Sequence, residues 1–263
     1  GSVGPPNGLR LLGPWLEGLG HDVLMRLLRP SPALGATIIA MDEGSYGELQ
    51  QQPGKLWDRR LHADLIRQAL ALGARAVVFD VWMPTPGPDP AADRSLVEAI
   101  AAAPGKVILS AKLVESVQGG TNLTVVASEL FPPMPALAVA APWGVVNLPS
   151  DPDGRVRRHY ANPNFLGLAW KTAETLGTLD PAQLASAKRW IQFYGPLRRT
   201  SYREVLKGTN LPPNHFADEV VFVGQDPVST PSGPDFRDLI HTAASRWAGQ
   251  GTPGVETQAT IYL

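Results

Sequence analysis

The chain contains no cysteine. That absence excludes a disulfide framework, thiolate zinc ligands and a cysteine nucleophile, and it is compatible with the bacterial periplasm, where stray thiols are oxidised. Charge is scarce too. Only 18% of the 263 residues are charged, and 23 basic against 24 acidic side chains leave a net charge of −1. A near-neutral chain offers no broad basic footprint, so no nucleic-acid partner is expected. The dipeptides Arg157-Arg158 and Arg198-Arg199 read as solvated pairs. Long apolar runs are also lacking. None approaches the roughly 18 residues that span a bilayer, and no signal peptide is visible. Gly1-Ser2 reads as a cloning scar, so the natural chain is expected to begin earlier and to carry membrane segments outside this sequence.

What the chain has in quantity is punctuation, with 26 glycines and 26 prolines, which predicts many turns and stiffened loops. Apolar residues, at 44%, suffice for a substantial core at this length. Leu9, Leu12, Leu16, Leu19, Val23 and Leu27 recur at helical spacing, which predicts an amphipathic helical segment within residues 3–30. Gly13, Pro14, Gly18 and Gly20 predict a kink or a split in it. Residues 31–263 show no internal repeat and no linker, and read as one domain.

Ala36 to Asp42 is a short apolar run ending in an acid, the mark of a buried strand. Residues 58–72 predict a helix capped by Asp58 and stopped by Gly73. Arg75 to Asp80 is a second such strand, Asp93 is placed to cap a helix through Leu96, Val97 and Ile100, and Lys106 to Ser110 is a third strand. This alternation predicts an α/β fold with a mostly parallel central sheet flanked by helices. Residues 114–142 read as a long loop or flap around Gly119-Gly120. Asp151-Pro152-Asp153-Gly154 predicts a β-hairpin joining 145–148 to 156–160. A helix over 165–176, a strand over 190–194, a short helix after Ser201, a buried strand over 219–224, a loop-rich stretch over 225–253 and a helix from Pro253-Gly254 complete the reading.

The search for catalysis comes back nearly empty. There is no phosphate-binding loop, no dinucleotide fingerprint and no nucleophile elbow. The five histidines are scattered, so no catalytic residue and no cofactor is assigned. Asp42 and Asp80 stand out because each closes a parallel strand, and ligands of open α/β sheets bind at those ends. Two acids there can hold a divalent cation or accept hydrogen bonds from a polar ligand; equally, they can satisfy loop amides. Asp151-x-Asp153-Gly154 lacks the closing glutamate of a calcium loop and reads as a rigid turn pinned by an Asp–Arg pair.

Several segments then recur in a distinctive order. They are Ile38-Ile39-Ala40-Met41-Asp42-Glu43-x-Ser45-Tyr46, Trp57-Asp58-Arg59-Arg60-Leu61-His62-Ala63, Gly73-Ala74-x-Ala76-Val77-Val78-Phe79-Asp80-Val81, and Asn147 with Asp151-x-Asp153-Gly154-x-Val156-Arg157-Arg158. Phe193-Tyr194-Gly195-Pro196, Ser201-Tyr202-x-x-Val205-Leu206-x-Gly208, Val221-Phe222-Val223-Gly224 and Pro253-Gly254-Val255-Glu256-x-x-Ala259 follow. From about residue 20 onward the chain resembles a CHASE2 domain. One segment departs from the family: its Asp-x-x-x-Thr-Pro is matched by Asp238-Leu239-Ile240-His241-Thr242 followed by Ala243, with Thr230-Pro231 as an alternative match.

The resemblance implies an extracytoplasmic sensor domain, anchored through membrane helices to a cytoplasmic cyclase or kinase. The expected signal is a small molecule or an ion, and a homodimer is the expected assembly. The candidate ligand residues are Asp42, Glu43, Ser45, Arg59, Asp80, Asp153, Arg157 and Arg158. The alternatives are a purely structural dimerisation domain and a metal-dependent hydrolase using Asp42 and Asp80.

Overall fold

In a computed structural model the described residues are 7–28, 35–120, 123–159, 162, 164–179, 189–194, 196–208, 210–226 and 238–263. The N-terminal segment forms one helix, α1 (Asn7–Leu28). It runs through Gly13 and Pro14 without dividing in two, since an internal proline forfeits one backbone hydrogen bond and can bend a helix rather than end it. Among its described side chains, Leu19 is half-buried. Gly18 and Asp22 are buried, whereas Leu16, Val23, Leu24 and Leu27 lie open to solvent.

β1 (Ala36–Met41) is buried along its whole length. Asp42 then caps α2 (Glu43–Glu48), and Asp58 caps α3 (Arg59–Ala71). β2 (Ala76–Trp82) runs two residues past Asp80. α4 (Pro90–Ala101) is capped by Asp89, not Asp93. Pro90 occupies the first helical position, where its lost N–H costs nothing, and that places the cap one residue earlier. Asp93 is thereby freed for another partner.

β3 (Val107–Gly120) and β4 (Leu123–Phe131) form an antiparallel hairpin where the sequence suggested a flap, with Lys112 opposite Phe131. α5 (Pro135–Ala140), β5 (Trp143–Val145) and α6 (Leu168–Thr175) follow. The turn at Asp151 closes through Asp151 N–H to Arg155 O, but its flanks do not pair with each other: Val156 bridges to Thr242 and Arg158 to Trp190. The expected hairpin is therefore absent there, and so is a strand over 190–194, where Ile191 and Phe193 bury their side chains without a ladder. β6 (Arg199–Ser201), α7 (Tyr202–Lys207), β7 (Val220–Gln225), β8 (Leu239–Ile240), α8 (Ser245–Ala248), β9 (Thr252–Pro253) and α9 (Gly254–Tyr262) complete the described elements.

The sheet order is β4-β3-β2-β7-β1-β6, with β5 pairing the first part of β3. β7 lies between β1 and β2, and Val220 is in register with both Ala36 and Ala76. All pairings in this sheet are parallel except β3–β4, so the fold is α/β with a mostly parallel sheet. Side chains alternate across the sheet. Ile39, Val77, Phe79, Val221 and Val223 meet Leu65 and Ile66 of α3, Leu96 of α4 and Tyr202 of α7. Ile38, Val78 and Phe222 meet Leu168 of α6 and Val255 of α9. Helices on both faces explain why the central strands read as unbroken apolar runs.

Candidate functional site

β1, β2 and β7 run side by side in one direction, so their carboxyl ends open onto a common crevice. A pocket of about 330 Å³ lies there. Its floor is Met41, Asp80 to Trp82 and Gln225, the last residues of the three strands. Gly54 to Trp57 and the first turn of α3 form one wall, and Asp238 contributes from the residue before β8.

Aromatic packing shapes the interior. Trp57 meets Tyr46 edge-on at 5.0 Å between ring centroids and Tyr202 at 5.0 Å. Gln225 Nε2 donates to Tyr46 Oη (3.3 Å). His62 Nδ1 is 2.8 Å from Tyr202 Oη, while its Nε2 has no hydrogen-bond partner among the described residues, and the enclosed indole N–H of Trp57 is directed to Tyr46. Burial, reinforced by the nearby Arg59 cation, lowers the His62 pKa to about 3, so the ring is neutral. Arg59 is buried and held by Asp93, with Nε 3.6 Å from Oδ1, and Asp93 also accepts from Gly87 N–H (2.9 Å).

The carboxylates behave differently. Asp80 and Asp238 both line the pocket, and neither side chain has a hydrogen-bond or ion-pair partner among the described residues. Burial, and then the neighbouring Asp238 charge, push the Asp80 pKa up to about 8. Asp238, the more open of the two, moves in the same direction through desolvation, with Lys112 opposing. The two titrate as a pair.

A larger cavity, about 550 Å³, lies at the other end of the sheet, bordered by Gly35, Arg75 and Asp218 near the strand starts. Leu179 and Arg189 also line it. The strand-end pocket is preferred because it carries the unpaired acids.

The eight residues singled out in the sequence are not brought together. Arg59 and Asp80 line the pocket. Asp42 does not: its Oδ1 accepts from Ser45 N–H (2.8 Å) and Ser45 Oγ (2.6 Å), a helix cap, and Ser45 Oγ goes on to accept from Arg203 N–H (3.2 Å). Glu43 sits in the first turn of α2, exposed. The shared Asp42–Asp80 metal site is therefore corrected, because capping turns Asp42 away to its own helix. Among the described residues no three His, Cys, Asp or Glu side chains gather in a way that could hold a metal ion.

Asp153, Arg157 and Arg158 belong to an ion cluster that seats α1. The buried guanidinium of Arg157 donates to both oxygens of Asp22 (Nε–Oδ1 2.7 Å, Nη2–Oδ2 2.9 Å), to Asp151 (2.9 Å) and to Asp153 (2.6 and 2.8 Å). Those carboxylates hold its pKa well above the usual arginine value. Arg246 reaches the same Asp22 (3.1 Å), and Arg158 lies over the Trp190 ring. The sequence reading placed the Asp–Arg pinning correctly and missed that its target is α1.

Tyr46, Lys55, Trp57, His62, Gln225 and Asp238 are pocket residues that the candidate set omitted. Four lay in quoted segments: Tyr46, Trp57 and His62 beside selected residues, and Asp238 as the acid of the departing segment. No helix among the described residues is long and apolar enough to cross a membrane. Neither curated proteins nor solved structures provide a match. The family model for the CHASE2 domain, in contrast, matches residues 7–262. The chain belongs to the CHASE2 domain family, a family of extracytoplasmic sensory rather than catalytic domains.

Proposed function

We propose that this chain is the ligand-sensing domain of a membrane-anchored bacterial receptor, with the strand-end pocket as its sensing site and a cytoplasmic cyclase or kinase as its output. The observation that carries this reading is a pair of unpartnered carboxylates in a pocket at the ends of three parallel strands. Asp80 is half-buried and Asp238 opens to solvent, so both carboxylates are accessible to a ligand, and unpaired acids with raised pKa values in a crevice mark a binding-site candidate. A ligand shifts a receptor only through different affinities for its two states, which requires contacts that one state makes better.

The test is a metabolite and ion screen on the isolated chain by thermal denaturation and calorimetry. A ligand at a hundredfold excess over its Kd adds about 2.7 kcal/mol of stability, several degrees in melting temperature for a chain this size. Asp80→Asn should remove that shift. A screen with no saturable binder, or a binder indifferent to Asp80→Asn, rejects the site.

A second reading, a homodimerising module without a small ligand, has its own support: Leu16, Leu24 and Leu27 lie 57%, 47% and 75% exposed on one helix. Sedimentation of the chain against a Leu16→Glu, Leu27→Glu variant tests it. A monomer in both cases rejects this assembly.

A further inference from the structure

The strand-end pocket carries opposite chemistries on separate pieces of chain. The end of β2 and the residue before β8 supply carboxylates, Asp80 and Asp238; the loop before α3 supplies Lys55. Asp80 and the exposed Lys55 have no ion-pair partner among the described residues, and Asp238 feels only the field of Lys112. The enclosed indole N–H of Trp57 is directed to Tyr46. Arg59 is not an open cation here, because Asp93 already holds it.

We propose that the pocket binds a small zwitterion of the free amino-acid type, its ammonium between Asp80 and Asp238 and its carboxylate on Lys55. This deepens the sensing-site reading above and rests on it.

An ammonium group suits the acidic side because it brings three donors and a full charge to two acids that otherwise repel each other. The upward shift of Asp80 is what an acid shows when no cation sits beside it. On the other side, a carboxylate is the group that pairs with the lysine ammonium through charge-assisted hydrogen bonds and also balances the ligand's charge. A volume of about 330 Å³ lies at the lower end of the ~300–1,000 Å³ range of ligand pockets, which suits a small molecule and not a nucleotide. A bare divalent cation is the weaker fit. It needs about six oxygen ligands, whereas the pocket offers two carboxylates and the amide oxygen of Gln225. A dicarboxylate is opposed by the two acids.

The step is also proton-linked. Below about pH 8 Asp80 carries a proton in the empty pocket. An arriving ammonium favours the carboxylate, so that proton leaves to the buffer as the ligand binds.

The experiment is calorimetry on the whole chain at neutral pH with the common proteinogenic amino acids. Propylamine, propionate, succinate and magnesium chloride serve as controls, in two buffers of different ionisation enthalpy. The expected result is saturable binding of at least one amino acid with proton release, and binding of propylamine and propionate weaker by about tenfold or more. Asp80→Asn and Lys55→Gln should each weaken the amino acid by about tenfold or more, with Asp80→Asn at least as heat-stable as the parent chain. Propylamine binding as well as any amino acid, no amino acid binding, or an Asp80→Asn variant of unchanged affinity each overturns the proposal. Succinate or magnesium binding that Asp80→Asn abolishes would overturn the zwitterion and leave the sensing pocket standing; a wider metabolite screen without any binder would remove both.

Discussion

Asp80 is an acid placed where its charge is unwelcome. In the folded chain it keeps its proton to about pH 8, whereas the ordinary carboxyl value of 3.8 applies once the chain unfolds. Folding thus takes up a proton between those limits, and stability declines as pH rises through the window. Asp80→Asn removes the loss. Melting temperatures of the two chains should agree near pH 4 and diverge towards pH 8, with the asparagine variant higher; parallel curves would contradict the assignment. His62 gives the opposite slope. It stays neutral in the fold down to about pH 3, against an unfolded value of 6.5. Its contribution is complete above about pH 6.5 and is lost as pH falls towards about 3. His62→Phe should flatten the acid limb of the melting curve, at the cost of the Tyr202 partner, and leave the limb near pH 8 unchanged.

At the scale of elements, the ion cluster decides whether α1 belongs to the domain. Asp22 is fully buried and Arg157 is 2% exposed, so removing Arg157 takes two charge-assisted hydrogen bonds from a buried carboxylate and leaves Arg246 as its arginine partner. Breaking such a pair typically costs about 3–5 kcal/mol. Arg157→Ala should therefore raise hydrogen exchange along α1 while β1, β2 and β7 keep their protection, and Arg157→Lys should rescue little because a lysine lacks the planar fork that reads three carboxylates. Protection of α1 unchanged in Arg157→Ala would show that another contact seats it. On the other side of the sheet, Gly224 admits α9: a Cβ there would stand 2.7 Å from Val255 Cβ. Gly224→Ala should cost about 1–3 kcal/mol in denaturant unfolding through overpacking. These elements were not equally legible. The parallel strands announce themselves because two covered faces demand unbroken apolar runs. The β3–β4 hairpin does not, since Glu115, Ser116, Gln118 and the Gly119-Gly120 pair give no run to recognise. Ile191 and Phe193 mislead the other way, because burial of side chains needs no ladder.

For the whole molecule, the sequence pointed to the end of the sheet where the 330 Å³ pocket lies through Asp80 and Arg59, because a strand-end acid and a helix-start arginine have positions that topology alone dictates. It did not separate pocket from clamp. Asp42, Asp153, Arg157 and Arg158 sit in ordered segments as regular as those of the pocket, yet they cap a helix and seat another. Only distances in three dimensions distinguish a carboxylate with a partner from one without.

Gly254 ties the pocket to the last helix. Its N–H donates to Asp238 O (3.0 Å), Pro253 is in register with Leu239, and a Cβ on Gly254 would collide with the Asp238 carboxylate. Asp238 therefore bears directly on the root of α9, a rod of 9 residues that spans about 13 Å. Residues 254–260 are buried against the sheet, so crowding at this root is felt where Asp238 stands. Gly254→Ala should therefore weaken the binding proposed for the pocket, a loss that calorimetry would read directly.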